Sequence, residues 1–228
     1  MKLELTDKSV APTGLIGALL KSVTDIRLVR CQVDHALLPR LAEYGLVKTI
    51  WLEQCNVQDE IFDSIATLDG LQQLRLIGCP ITGAGFNRLW EHCLDLKVLE
   101  LRDCEIADPV MYVASQFRQL KALSLAGTCL VRPNLVLLNE LPLNELDLGS
   151  TMVDDGTVMV LKNDIVYDLL LEGTQVTKGV LQIVRQCPRL GNIYLPNGVV
   201  VPSDELAAFR SHHPQCQVHF ATPDNEDQ

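Results

Sequence analysis

Aromatic side chains are scarce in this sequence, at 5% of 228 residues, so Leu, Val and Ile must fill whatever interior it builds. Basic side chains are in short supply too. There are 19 Lys and Arg against 29 Asp and Glu, a net charge of −10. Such an excess of negative charge repels phosphate, which argues against nucleic acid or anionic membrane as a partner. No stretch approaches the roughly 18–20 consecutive apolar residues that a membrane-crossing helix requires. The opening MKLELTDKSVAPTGLIGALL puts Glu4 and Asp7 where a secretory leader is basic, and Pro12 and Gly14 interrupt its apolar part. A cytoplasmic protein is therefore expected.

Motifs that carry chemistry are also missing. GLIGALL and GCPITGAG have neither the Lys-Ser/Thr of a phosphate-binding loop nor the spacing of a dinucleotide fingerprint. HHPQC (His212, His213, Cys216) has metal-ligand residue types but no fourth ligand, and it reads as a helix end followed by a strand. Asp103, Asp154 and Asp155 are loop carboxylates that could hold Ca²⁺ only weakly, without the spacing of a calcium loop. No enzyme, cofactor or metal is expected.

What the chain does contain is a repeat. Eight eleven-residue stretches follow the pattern L-x-x-L-x-L-x-x-C/T-x-I, beginning at Val23, Val47, Leu71, Leu96, Leu120, Leu143, Val166 and Leu190, with starts 23 to 25 residues apart. The units read, for example, VKTIWLEQCNV, LKVLELRDCEI and LNELDLGSTMV. The fourth and sixth positions alternate with variable residues, the period-two mark of a strand with one buried face. A tight turn follows, often with Gly (Gly78, Gly127, Gly173), and then apolar residues at helical spacing. Examples are Ile61/Phe62/Ile65, Phe86/Leu89/Trp90/Cys93, Val113/Phe117 and Val180/Ile183/Val184/Cys187. One such unit cannot bury its own apolar side. Stacked units give a parallel sheet on one side, short helices on the other and a continuous core between.

Cys31, Cys55, Cys79 and Cys104 share one position of four successive units, and Thr128, Thr151 and Thr174 continue it. A small donor there can satisfy carbonyls of the adjoining turn. Eight cysteines in a chain of this length read as reduced thiols rather than a disulfide framework. Residues 1–22, with Leu3 and Leu5 at strand spacing and Leu15/Ile16/Leu19/Leu20 at helical spacing, read as a degenerate capping coil. Residues 23–215 hold the eight repeats. Residues 216–228 read as a closing strand, with Val218 and Phe220 inward, and a disordered acidic tail.

These residues resemble the leucine-rich-repeat family over nearly the whole chain. The Cys position resembles the cysteine-containing subclass often found beside F-box segments in ubiquitin-ligase receptors, while GTQVTKGVLQIVRQCPRL and AAFRSHHPQCQVHF look closer to bacterial arrays. The resemblance implies an α/β right-handed solenoid, a horseshoe arc with its parallel sheet concave and its short helices convex. It also implies a protein or peptide partner on the concave face. An F-box has no room in residues 1–22.

In such a coil the third, fifth and seventh template positions face the concave side. This places Arg27, Trp51, Arg75 and Arg102 in the N-terminal half and Glu145, Asp147, Asp168, Glu172 and Tyr194 in the C-terminal half. A Trp among arginines has the composition of an interface anchor, or else stacks between Arg27 and Arg75 as a purely structural contact. The acidic group reads as a solvated face or as a receptor for a basic peptide. Two other roles fit the same residues: a substrate-recognition subunit of a larger complex, and a structural module that forms a homodimer through an uncapped solenoid end.

Overall fold

The computed structural model describes residues 1–11, 20–162, 164 and 166–220. The strands are β1 (Lys2–Thr6), β2 (Ser9–Val10), β3 (Asp25–Val29), β4 (Gln32–Val33), β5 (Thr49–Glu53) and β6 (Gln73–Ile77), then β7 (Val98–Glu100), β8 (Ala122–Ser124), β9 (Glu145–Asp147), β10 (Asp168–Leu170), β11 (Asn192–Leu195) and β12 (Gln217–Phe220). Ten of them form a single sheet in chain order, all neighbours parallel, while β2 and β4 pair separately. The register is the repeat itself. Fifth positions lie opposite fifth positions in one row: Glu4, Arg27, Trp51, Arg75, Glu100, Ser124, Asp147, Leu170, Tyr194 and His219.

The alternation read from the sequence decides which side is buried. In all eight units the fourth- and sixth-position apolar residues, from Ile26 and Leu28 to Ile193 and Leu195, are at most 1% exposed. Three of the five phenylalanines meet where neighbouring convex segments pack. Phe62, Phe86 and Phe117 stack edge to face across successive coils, with centroids 5.3 and 6.1 Å apart.

The convex segments are short because a unit of about 24 residues spends eleven on the template. They include helices Leu37–Ala42, Ile61–Ile65 and Val110–Ala114, and tighter 3₁₀ turns Phe86–Arg88 and Leu135–Leu138. Trp90, expected beside Phe86, Leu89 and Cys93 on a buried helical stripe, is instead 38% exposed. The 3₁₀ turn at Phe86–Arg88 has three residues per turn, which breaks the 3.6-residue spacing that would have carried Trp90 inward.

The eighth template position closes the strand of the capping coil and of the first seven units, while in the last unit the left-handed residue is Gly198. Asp7, Arg30, Gln54, Gly78, Asp103, Gly127, Ser150 and Gly173 all adopt left-handed backbone, φ between 50° and 70°. Each of these residues through Ser150 donates its N–H to the seventh-position carbonyl of the following coil, as Gln54 does to Ile77 at 2.7 Å and Gly78 to Arg102 at 2.8 Å. The ladder thus continues past the strand end, and the turn is imposed whether or not the residue is glycine.

The ninth position lines up as expected, but thiols and hydroxyls serve different carbonyls. Cys79 Sγ sits 3.6 Å from both Leu52 O of the preceding coil and Ile77 O of its own, and Cys31, Cys55 and Cys104 repeat this at 3.3–3.5 Å. Thr151 and Thr174 make one short bond, 2.6 Å, to the sixth-position carbonyl of their own coil. The long, soft C–S bond straddles two acceptors where the short hydroxyl reaches one.

At the N-terminal end β1 occupies the rung before β3, and a 3₁₀ turn, Leu20–Ser22, leads into the first full unit. Leu15, Ile16 and Leu19 lie outside the described residues, as does the tail 221–228. At the other end β12 takes the place of a ninth unit, paired to β11 through Ile193↔Val218. Val218 packs against the core, but Phe220, expected inward, is 43% exposed because among the described residues no further coil covers it.

Candidate functional site

Third- and fifth-position side chains of the sheet form one continuous face, and its two halves differ in how their charges are used. In the N-terminal half Arg27 and Arg75 each meet a carboxylate one strand away, and Arg102 shares the Glu100 of its own coil with Arg75. Arg27 Nη1 donates to Glu4 Oε1 at 2.6 Å and its Nη2 lies 3.7 Å from Glu53. Arg75 Nε donates to Glu100 Oε2 at 3.0 Å, and Arg102 lies 3.6 Å from the same carboxylate. Lys2 and Arg27 together hold the Glu4 carboxyl below its ordinary range. Trp51 lies between two guanidinium groups, Arg27 at 4.5 Å and Arg75 at 5.3 Å from its ring, and its Nε1 donates to Glu53. The indole is half-buried in this stack, so its surroundings are those of a structural contact between the two arginines.

The middle of the face is made of small side chains. Ala122, Ser124, Ala126 and Gly149 leave a shallow floor that attention to charged and aromatic residues alone misses. Its signal is present in the sequence: the same template positions carry bulky residues in the flanking coils.

In the C-terminal half Glu145, Asp147 and Asp168 are neighbours on adjacent strands, Glu172 follows the end of β10, and the four are not equivalent. Asp147 is 6% exposed, and its carboxylate accepts from Ser124 Oγ at 2.8 Å and from the Gly149 N–H at 3.0 Å. It belongs to the floor, because the small residues around it let it fold down onto the sheet. Asp168 accepts from Asn192 Nδ2 at 2.6 Å, and His219 Nε2 lies 3.1 Å from the Asn192 amide oxygen. Tyr194 stacks on His219, centroids 4.3 Å apart and planes 11° from parallel. Glu145 and Glu172 are exposed. Among the described residues none of Glu145, Asp147, Asp168 and Glu172 forms an ion pair. Partial burial first, and then the neighbouring charges of Asp168, Asp147 and Glu100, raise the Glu145 carboxyl above its ordinary range.

The other residues with ligand chemistry are spent on the chain itself. Asp154 caps the helix Asp155–Val158, accepting from the Thr157 N–H at 2.8 Å and from its hydroxyl. Asp155 accepts from Thr177 in the next coil. His213 is buried against Phe209, with ring centroids 5.0 Å apart, while His212 is exposed. Among the described residues no group of three or more His, Cys, Asp or Glu side chains converges as a metal site, and no helix is long and apolar enough to cross a membrane.

At the level of sequence no family model and no curated protein matches this chain. Solved structures do. An internalin of Listeria monocytogenes superposes with a TM-score of 0.62 at 16% identity, covering 93% of this chain and 71% of that one. A leucine-rich-repeat protein of Leptospira interrogans gives 0.66 at 19%, covering 96% and 60%. A plant peptide hormone receptor, solved in complex with RGF2, gives 0.61 at 17%, covering 96% of this chain and 34% of the receptor. Likeness at this identity speaks to architecture, and it agrees with the register and burial described above: the chain has the leucine-rich-repeat fold.

Proposed function

We propose that the protein is a non-enzymatic binding module that receives a protein or peptide on its concave face, with a basic segment of the partner seated over the C-terminal half. One contrast carries this reading. The N-terminal arginines Arg27, Arg75 and Arg102 all stand in ion pairs, whereas Glu145, Asp168 and Glu172 form no ion pair among the described residues. Like charges held together on a partly dried surface gain most from an incoming Lys or Arg. The small-residue floor beside them leaves room for a backbone, and Tyr194 stacked on His219 offers a rigid flat contact. The plant peptide hormone receptor of the same fold was solved in complex with RGF2, which supports partner recognition as a use of this architecture. A chain whose eight cysteines form no disulfide, seven of them buried, suits the reducing cytoplasm, and we place it there.

The test is charge reversal at two exposed positions, Glu145→Lys with Glu172→Lys. A partner captured by the native protein is expected to be lost from the double variant at unchanged circular dichroism, and to elute with salt. Retention by this variant, together with loss on Tyr112→Asp on the convex side, would overturn the reading.

A second reading, self-association through the C-terminal end, is favoured by β12. Its segment Gln217–Phe220 has neither Lys, Glu nor Pro to blunt an edge, and Phe220 is 43% exposed. Light scattering across a concentration series separates the two, since only this one predicts a dimer without partner.

A further inference from the structure

The repeat supplies its own control for every template position, and three coils depart at the eleventh: Val200, 79% exposed, in the last full unit, and Val33 and Val57 near the other end. Ile81, Ile106, Leu130, Val153 and Val176 are at most 4% exposed there, as is Val10 in the capping coil. Val33 and Val57 are only half-buried. This is no end effect, because the capping coil packs outside Val33 through the pair Val10↔Val33. The coils also differ in how they are tied. Later loops are joined by direct backbone bonds, Cys129 N–H to Ile106 O, Met152 N–H to Leu130 O and Gln175 N–H to Val153 O. Between the coils of Val33 and Val57 the tie is the Asn56 side chain, whose Oδ1 accepts from the Val33 N–H at 2.6 Å. Beside this side-chain tie lies a cavity of about 460 Å³.

The cavity has an aliphatic floor of Val33, Leu38, Val57 and Ile61 and a polar mouth that includes the exposed carboxylates of Asp34 and Glu60. Among the described residues neither carboxylate forms an ion pair. His35 also stands at the mouth. The volume falls within the roughly 300–1,000 Å³ of sites that take small ligands. We propose that this flank pocket docks a partner segment in which an aliphatic residue fills the cavity and an adjacent Lys or Arg meets Asp34 and Glu60. The proposal does not depend on the concave face, from which the pocket is separate.

The test uses the full chain, ¹⁵N-labelled, titrated with N-acetyl-Leu-Lys-amide. Saturable amide shifts at Val33, Val57 and Ile61 are expected. N-acetyl-Leu-Glu-amide and N-acetyl-Gly-Lys-amide should bind several times more weakly, the first for want of the cation and the second for want of the apolar group. Val57→Lys, which fills the cavity, should abolish the response. Glu60→Lys, at an exposed site that cannot disturb the core, should weaken it even if the first variant fails to fold. Absence of saturable shifts at the pocket, equal response to the Leu-Glu probe, or full response in Glu60→Lys would overturn the proposal.

Discussion

Cysteine and histidine show how the coil stack sets the chemistry of single side chains. Burial raises the thiols of Cys79 and Cys93 to about 12 and of Cys104 and Cys216 to about 11, whereas Cys129 is exposed. Alkylation requires the thiolate. Iodoacetamide at pH 8 should therefore modify Cys129 alone in the native protein and all eight in denaturant, read by intact mass. Rapid native labelling of a ladder cysteine would mean that the coils open more readily than their packing implies. His213 responds to pH for a related reason. Its ring is buried and its Nε2 has no hydrogen-bond partner among the described residues, and burial first, then the nearby charges of His212 and Arg185, lower its pKa from 6.5. A lowered folded value means that the unfolded chain binds the proton more tightly. The stability tied to this group is complete above pH 6.5 and is lost as pH falls toward the folded value. Compared by urea midpoints at pH 7 and pH 5, His213→Phe, which keeps the stack on Phe209 and cannot titrate, should lose less stability than the native protein.

The strand-closing turn is the element on which the stack depends, and it tolerates non-glycine residues at a cost. Gln54 holds φ at 51° and is exposed, so Gln54→Gly should relieve backbone strain and stabilise by up to ~1 kcal/mol in chemical denaturation, net of the entropy that glycine adds to the unfolded chain. Gly127→Ala runs the other way. At φ 66° its new Cβ would collide with the Asp103 carboxylate of the preceding coil, so a loss of about 1–3 kcal/mol is expected. Strand positions were legible in the sequence because two apolar positions repeat in step, and the parallel sheet follows from stacking them. The convex elements were legible only as apolar content. Whether a dozen residues form a helix or a 3₁₀ turn is settled by packing against both neighbours, which is why Trp90 faces outward. The concave face was legible as a set of residues. Its internal pairings were not, because Arg27 with Glu4 and Arg75 with Glu100 become partners only through register across more than twenty residues. The flank pocket was invisible, since Val33 and Val57 satisfy the template as well as the buried residues that repeat them.

Across the whole molecule the division of the concave face trades stability against recognition. Each coil contacts its neighbours alone, so energies add along the stack and a charge cluster in one region burdens only the coils that carry it. Glu145 is such a burden. Its folded pKa is raised by burial and by Asp168, Asp147 and Glu100, so its contribution to stability is complete at low pH and is lost as pH rises through the folded value. Glu145→Gln removes that repulsion. At pH 7 it should raise the thermal midpoint, a result that no purely structural carboxylate would give. The same variant should weaken a basic partner by roughly two- to fivefold, the worth of one partly exposed ion pair. Native affinity should in turn climb as pH rises through the raised Glu145 value and level off above it, because the partner binds the ionised form, while Glu145→Gln shows a flatter profile over that range. A more stable variant with undiminished affinity would remove Glu145 from the interface and leave the acidic cluster as a solvated surface.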